Sequence, residues 1–195
     1  FSGEVYLPDD VDGFFDLQAA QRDLQLELNA TPLTNPKRRT ELMQAFFGAA
    51  GEGLYLECPV YANWGCNTYW GERCYANFNL TAVDDTHIYV GDHTMIGPNV
   101  TLASAGHPVL PELREKGCQF NMPIHIGKNC WLGAGTVVVP GVSIGDNTVI
   151  GAGSIVTKDI PANVVAVGNP CRVMREIGER DKEYYYKDRK IGDAK

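Results

Sequence analysis

Between Ile126 and Ile160 the apolar positions recur at every sixth residue: Ile126, Leu132, Val138, Ile144, Ile150 and Val156. The residues that follow them are Gly127, Gly133, Val139, Gly145, Gly151 and Thr157. Four positions on from each stand Cys130, Thr136, Val142, Thr148, Ser154 and Ile160, mostly small. A period of six is neither helical nor a simple strand alternation. It is the signature of a parallel β-helix built from hexapeptides. One aliphatic side chain per hexad points inward and stacks on its equivalent one coil away, each burial contributing roughly 1.5–3 kcal/mol. Glycine suits the corners, where the backbone turns sharply.

The pattern changes on either side of this block. Residues 1–53 read as an N-terminal helical segment. Asp16 to Asn29 carries Leu17, Ala20, Leu24 and Leu28 at helical spacing, and Pro36 opens a second helix that closes at Gly48. Two short antiparallel helices there would cover an open end or flank of the solenoid. Residues 54–170 read as the β-helix, with irregular early hexads at Trp70-Gly71, Ala76-Asn77 and Ala82-Val83. Ala82 to Val90 is eight residues, so two are inserted around Asp84 and Asp85. The hexads vanish from Ser104 to Pro123, yet Leu102 to Ile126 is 24 residues, four whole hexads. A loop of that length (104–123) is unusual in a compact domain and is often functional. Residues 171–195 form a charged, tyrosine-rich tail, expected to pack on the body or on another subunit.

Composition narrows the function classes. A formal charge of −7 argues against nucleic acid as the main partner. No apolar run approaches the length of a membrane span, so no membrane partner is expected. The six cysteines form no CxxC pair, and with no signal-peptide pattern at Phe1-Ser2-Gly3-Glu4 they suggest a reducing cytoplasm. Cys130 reads as a buried small apolar residue of the repeat.

Chemistry is expected from the interruptions rather than from the coil. The chain has four histidines, at 87, 93, 107 and 125, and His107 sits between Gly106 and Pro108 at the base of the long loop. A zinc site of the kind built by hexapeptide carbonic anhydrases is not assembled. His87 and His93 are six apart, on adjacent faces, and the loop separates His107 from His125. No metal is expected.

Six stretches, taken together, point to a family: Tyr75-Ala76-Asn77-Phe78-Asn79, Val83-Asp84-Asp85, Gly106-His107-Pro108-Val109, Ile150-Gly151-Ala152-Gly153-Ser154, Val156-Thr157-Lys158-Asp159-Ile160-Pro161 and Asn169-Pro170-Cys171-Arg172. The chain resembles the galactoside and maltose O-acetyltransferases over nearly its whole length. The first three stretches are specific to that sugar-acetylating branch, whereas the last two recur in other hexapeptide acyltransferases. The resemblance implies a left-handed parallel β-helix of three hexads per coil and a homotrimer with active sites between subunits. It implies transfer of an acetyl group from acetyl-CoA to a sugar hydroxyl of the galactoside, maltose or glucose type.

The resemblance also assigns roles. His107 would be the general base; an imidazole titrates at about 6.5, and such catalysis contributes roughly 10²–10⁴-fold. The sugar oxygen would attack the thioester directly, since no cysteine occupies a matched catalytic position. Asn77 would line the acceptor site beside the histidine, with Asp85, Tyr75, Asn63 and the N-terminal carboxylate Asp9 contacting the sugar. Asn63 replaces a serine of the galactoside enzyme. The backbone N–H near Ala134, also serine there, would stabilise the oxyanion. Pantetheine would lie against Ala134, Ala152 and Trp131, and the phosphates would meet Thr157, Lys158, Arg172 and Arg175. The two arginines would face one way if their segment is helical. Two other readings fit the same coil: acetylation of a non-sugar acceptor such as an antibiotic or serine, and a non-catalytic trimeric scaffold.

Overall fold

The computed structural model describes residues 3–7 and 14–192, and it is a parallel β-helix of triangular section. Three sheets form its faces. The first contains Ala49–Ala50, Thr68–Trp70, Ile88–Val90, Ile124–Ile126 and Ser143–Ile144. The second contains Tyr55–Leu56, Tyr75–Ala76, Met95–Ile96, Trp131–Leu132, Val149–Ile150 and Val164–Gly168, with Cys171–Glu176 added antiparallel at the end. The third contains Val60–Ala62, Leu80–Val83, Thr101–Ala103, Val137–Val138 and Ile155–Val156. Adjacent coils stand one strand spacing apart, roughly 4.8 Å.

The period of six is explained by what points inward. Each hexad buries two side chains: Ile126 with Cys130, Leu132 with Thr136, Val138 with Val142, Ile144 with Thr148, Ile150 with Ser154. The second of each pair sits just before the next strand, and where it is Thr or Ser its hydroxyl donates to a nearby carbonyl. Thr136 Oγ1 donates to Gly133 O at 2.8 Å, and Thr148 Oγ1 to Pro161 O at 2.8 Å. Small polar residues there satisfy backbone groups that an apolar side chain would leave unpaired. Cys130 is buried as expected, and burial pushes its thiol up. Glycine at 133 has a steric reason: a Cβ would approach the Ala152 nitrogen to 2.5 Å in the next coil.

Two helices close the start of the solenoid. Helix α1 spans Phe14–Ala30 and α2 spans Pro36–Phe46, the latter capped by Asn35, whose side chain accepts from Arg38 N–H. The unpaired edge of Val60–Ala62 is covered by α1. Asn29 accepts from Val60 N–H (2.9 Å) and donates to Val60 O (2.8 Å), while Gln25 accepts from Ala62 N–H (2.6 Å). Side-chain amides thus continue the ladder that the coil would otherwise expose. Arg39 of α2, buried, donates to Leu56 O at 2.7 Å and Thr31 O at 2.9 Å, tying both helices to the first coil.

The coil length changes along the chain. Equivalent positions on the first face are Ala49, Tyr69, Tyr89, His125 and Ser143, giving steps of 20, 20, 36 and 18 residues. The other two faces repeat these steps, the second adding a last one of 16 from Val149 to Val165, and three hexads account for 18. The surplus always falls at one corner, between the third and first faces. Tyr61 to Tyr69 and Thr81 to Tyr89 are eight residues rather than six, and the loop after Ala103 enters there too. The loop is partly ordered as secondary structure: Ala105–Gly106 pairs antiparallel with Phe120–Asn121, with α3 (Pro111–Glu115) between them. The tail forms α4 (Glu179–Glu183) and a hairpin of Tyr184–Tyr186 with Arg189–Lys190. No helix among the described residues is long and apolar enough to cross a membrane.

Candidate active site

The corner that collects the inserted residues is built from carboxylates and their donors. Asp85 is gripped at both oxygens, by Asn63 Nδ2 (3.0 Å) and Trp64 Nε1 (3.0 Å). Its neighbour Asp84 points inward and is fully buried, accepting from Trp64 N–H (2.8 Å) and Thr68 Oγ1 (3.0 Å). Loss of solvation pushes the Asp84 carboxyl up to about 6, against the lowering effect of those donors. Asn67 Nδ2 completes the turn by donating to Asp84 O. The adjacent aspartates therefore knit two stacked insertions together, one from inside and one from outside.

One coil further on, the long loop leaves from the same corner. Its strand Phe120–Asn121 returns to it, with Asn121 Nδ2 donating to Asp85 O at 3.2 Å. His107 is exposed in the single chain. Its Nδ1 lies 2.8 Å from Cys118 O, an acceptor only, so Nδ1 carries a proton and in the neutral ring the lone pair is on Nε2. A neutral imidazole held in that tautomer can accept a proton.

The remaining candidates lie elsewhere. Asn77, Ala134 and Ala152 occupy the corner between the second and third faces. Asn77 Oδ1 accepts from Phe78 N–H at 2.8 Å, and its Nδ2 has no acceptor among the described residues. Ala134 O accepts from Gly153 N–H, whereas the Ala134 N–H has no acceptor among the described residues. Tyr75 and Trp131 both point outward on the second face, Tyr75 stacked on Tyr55 and Trp131 52 % exposed. So the structure brings Asn63 and Asp85 together and sets the His107 loop on their corner. It does not bring Asn77, Tyr75 or the alanines to that corner within one chain. Asp9 lies outside the described residues.

The candidate phosphate ligands follow the last coil. Thr157 and Lys158 are exposed after Ile155–Val156. Arg172 and Arg175 sit on a strand, not the helix that would set residues three apart on one side. They share a face nonetheless, because a β-bulge leaves Met174 unpaired: Arg172 pairs with Val167 and Arg175 with Val165, two residues apart. Arg175 is held bidentately by Asp181, at 2.7 Å for each contact, which keeps the Asp181 carboxyl low, at about 2. No group of three or more His, Cys, Asp or Glu among the described residues is placed to hold a metal ion.

A second pattern marks the corner carrying Ala134. Its left-handed positions are Asn79 and Asn99 in the early coils, joined Nδ2 to Oδ1 at 3.0 Å, then Gly135 and Gly153. The corner between the first and second faces keeps asparagine throughout the late coils, at Asn129, Asn147 and Asn163. A Cβ at Gly153 would meet nothing within 4 Å, so the late coils leave space beside the backbone at this corner.

Comparison with known proteins agrees with this architecture. Residues 123–158 match the hexapeptide repeat of succinyl-transferase, and residues 1–51 match the maltose acetyltransferase hexapeptide capping motif. The chain is 50 % identical over 189 residues to a galactoside O-acetyltransferase of Lactococcus lactis subsp. lactis (strain IL1403), covering 96 % of this chain and 91 % of that one. The chain belongs to the galactoside and maltose O-acetyltransferase family. A solved galactoside acetyltransferase in complex with coenzyme A superposes with a TM-score of 0.95 at 48 % identity, over 98 % of this chain and 96 % of that one. A maltose O-acetyltransferase from Clostridium difficile 630 gives 0.88 at 39 % identity, over 91 % and 95 %. The family resemblance leaves Asp84, Trp64, Asn121 and Tyr6 without roles. The twenty-residue coil step, which stacks Trp64 beside Asp84, is the signal that would have singled out the first two.

Proposed function

We propose that this acyltransferase moves the acetyl group of acetyl-CoA onto a hydroxyl of a sugar, with His107 as general base, at sites shared between subunits of a cytoplasmic homotrimer. The observation that carries the base is the His107 Nδ1 contact to Cys118 O, which leaves Nε2 as the basic nitrogen. In the step proposed, a sugar O–H gives its proton to Nε2 as the oxygen attacks the thioester carbonyl carbon. The Ala134 N–H, without another acceptor among the described residues, stabilises the developing oxyanion. The C–S bond then breaks, and the CoA thiolate takes the proton back from the imidazolium.

Asp85 and Asn63 bind the sugar, joined by Tyr75 and Asn77 from a neighbouring subunit and by Asp9 from the N-terminal segment. Trp131, Ala134 and Ala152 line the pantetheine path, and Thr157, Lys158, Arg172 and Arg175 take the phosphates. The division of the acceptor candidates themselves, Asn63 and Asp85 at one corner and Asn77 and Tyr75 away from it, supports a site completed by a second chain. The exposed apolar column of the second face, with Tyr55 at 46 %, Met95 at 52 % and Trp131 at 52 %, supports it too. An acceptor screen with acetyl-CoA across mono- and disaccharides, serine and aminoglycosides, read as free thiol, tests the reading. Sugar-dependent thiol release supports it; turnover confined to a non-sugar acceptor, or none, overturns it.

A further inference from the structure

The N-terminal stretch of residues 3–7 is remote in sequence from the catalytic loop yet is bridged to it at Tyr6. Tyr6 N–H donates to Gln119 O (2.9 Å) and Gln119 N–H to Tyr6 O (3.0 Å), an antiparallel bridge. The segment of residues 118–121, which ends in the strand Phe120–Asn121, therefore lies between two neighbours. One edge faces Tyr6; on the other, Phe120 pairs with Gly106 and Cys118 O meets His107 Nδ1. This is the alternation an antiparallel strand imposes, since the carbonyls of 118 and 119 point to opposite edges. His107 takes the place of a backbone partner at the end of the ladder.

The Tyr6 side chain reaches further. Its hydroxyl contacts Gln119 Nε2 and accepts from Asn121 Nδ2 at 2.7 Å, and the same Nδ2 donates to Asp85 O. Asn121 is buried and its Oδ1 has no partner among the described residues, so these two bonds orient its amide. One phenol thus ties the strand that orients the imidazole to the corner that carries Asp85.

We infer that Tyr6 is a positioning residue for the acceptor half of the site, setting His107 and Asp85 relative to each other through Gln119 and Asn121. The inference rests on the roles given above to His107 and Asp85. Tyr6→Phe keeps the ring and the backbone bridge and removes only the hydroxyl. Because small misplacements of reacting groups are costly, kcat with a sugar acceptor is expected to fall on the order of tenfold. The KM for acetyl-CoA should stay within about twofold. In ¹⁵N-histidine spectra the His107 ring nitrogens should shift, with those of His93 and His125 unmoved. Asn121→Ala should lower kcat similarly, and the double variant should be no worse than Asn121→Ala alone.

Wild-type kcat and unchanged His107 resonances in Tyr6→Phe overturn the inference. So do additive losses in the double variant, or a parallel decline of kcat, acetyl-CoA affinity and Tm that marks general destabilisation. Wild-type turnover in His107→Ala, run alongside, instead removes the reading on which the inference stands, so the two failures are distinct.

Discussion

Gly153→Asn tests the cofactor path without threatening the fold. Gly153 has φ +69°, and a Cβ there meets nothing within 4 Å. Asparagine already occupies the same conformation at Asn79, Asn99, Asn129, Asn147 and Asn163, with φ between 53° and 61°. Asparagine tolerates the left-handed region better than other non-glycine residues, so the folded state should change by less than about 1 kcal/mol. If pantetheine runs along the glycine-lined corner beside Ala134 and Ala152, the new amide occupies its path. Filling a packed space costs roughly 1–3 kcal/mol, which converts to about a 5- to 150-fold rise in the Kd for CoA. Calorimetric titration with CoA, with Tm measured beside it, reads both halves. Asn163→Gly, at the other corner, is the control and should leave the Kd unchanged. An unaltered Kd in Gly153→Asn with an unaltered Tm would refute the assignment of the cofactor path to this corner.

Three further outcomes are expected. Asp84→Asn should gain on the wild type as pH rises: the Asp84 pKa of about 6 exceeds its ordinary value of 3.8, so its contribution is favourable below pH 4 and lost through pH 6. By pH 7 the difference should have moved by about 3 kcal/mol, measured by denaturant titration at pH 4 and pH 7; a pH-independent difference contradicts the burial argument. Arg39→Met should lower stability by about 3 kcal/mol in urea titration, because the carbonyls of Leu56 and Thr31 lose a charged donor. Asp85→Asn should raise the KM for the sugar with that for acetyl-CoA unchanged, and equal effects on both would place Asp85 outside the acceptor half.

The coil was legible wherever each hexad buries one large aliphatic residue, as in residues 126–160. It blurs in the early coils because Ala76 and Ala82 fill the same inward columns and the coil length there is 20. The Asp84-Asp85 insertion was legible from spacing alone, but not that its residues divide between interior and surface. The strand inside the long loop was invisible, since it is two residues long and its neighbours, Ala105–Gly106 and Tyr6, lie 14 or more residues away. The shared face of Arg172 and Arg175 was anticipated through a helix and arises from a bulge. Local periodicity does not encode such an irregularity. The division of candidate residues between two corners follows from register, which a linear motif search does not see.

The most direct test of the central claim is the turnover of His107→Ala with acetyl-CoA and a sugar that the wild type acetylates. The account predicts a kcat reduced roughly 10²–10⁴-fold with CoA affinity little changed, since the imidazole acts on the acceptor proton and not on the cofactor. Turnover equal to the wild type in that variant would contradict it.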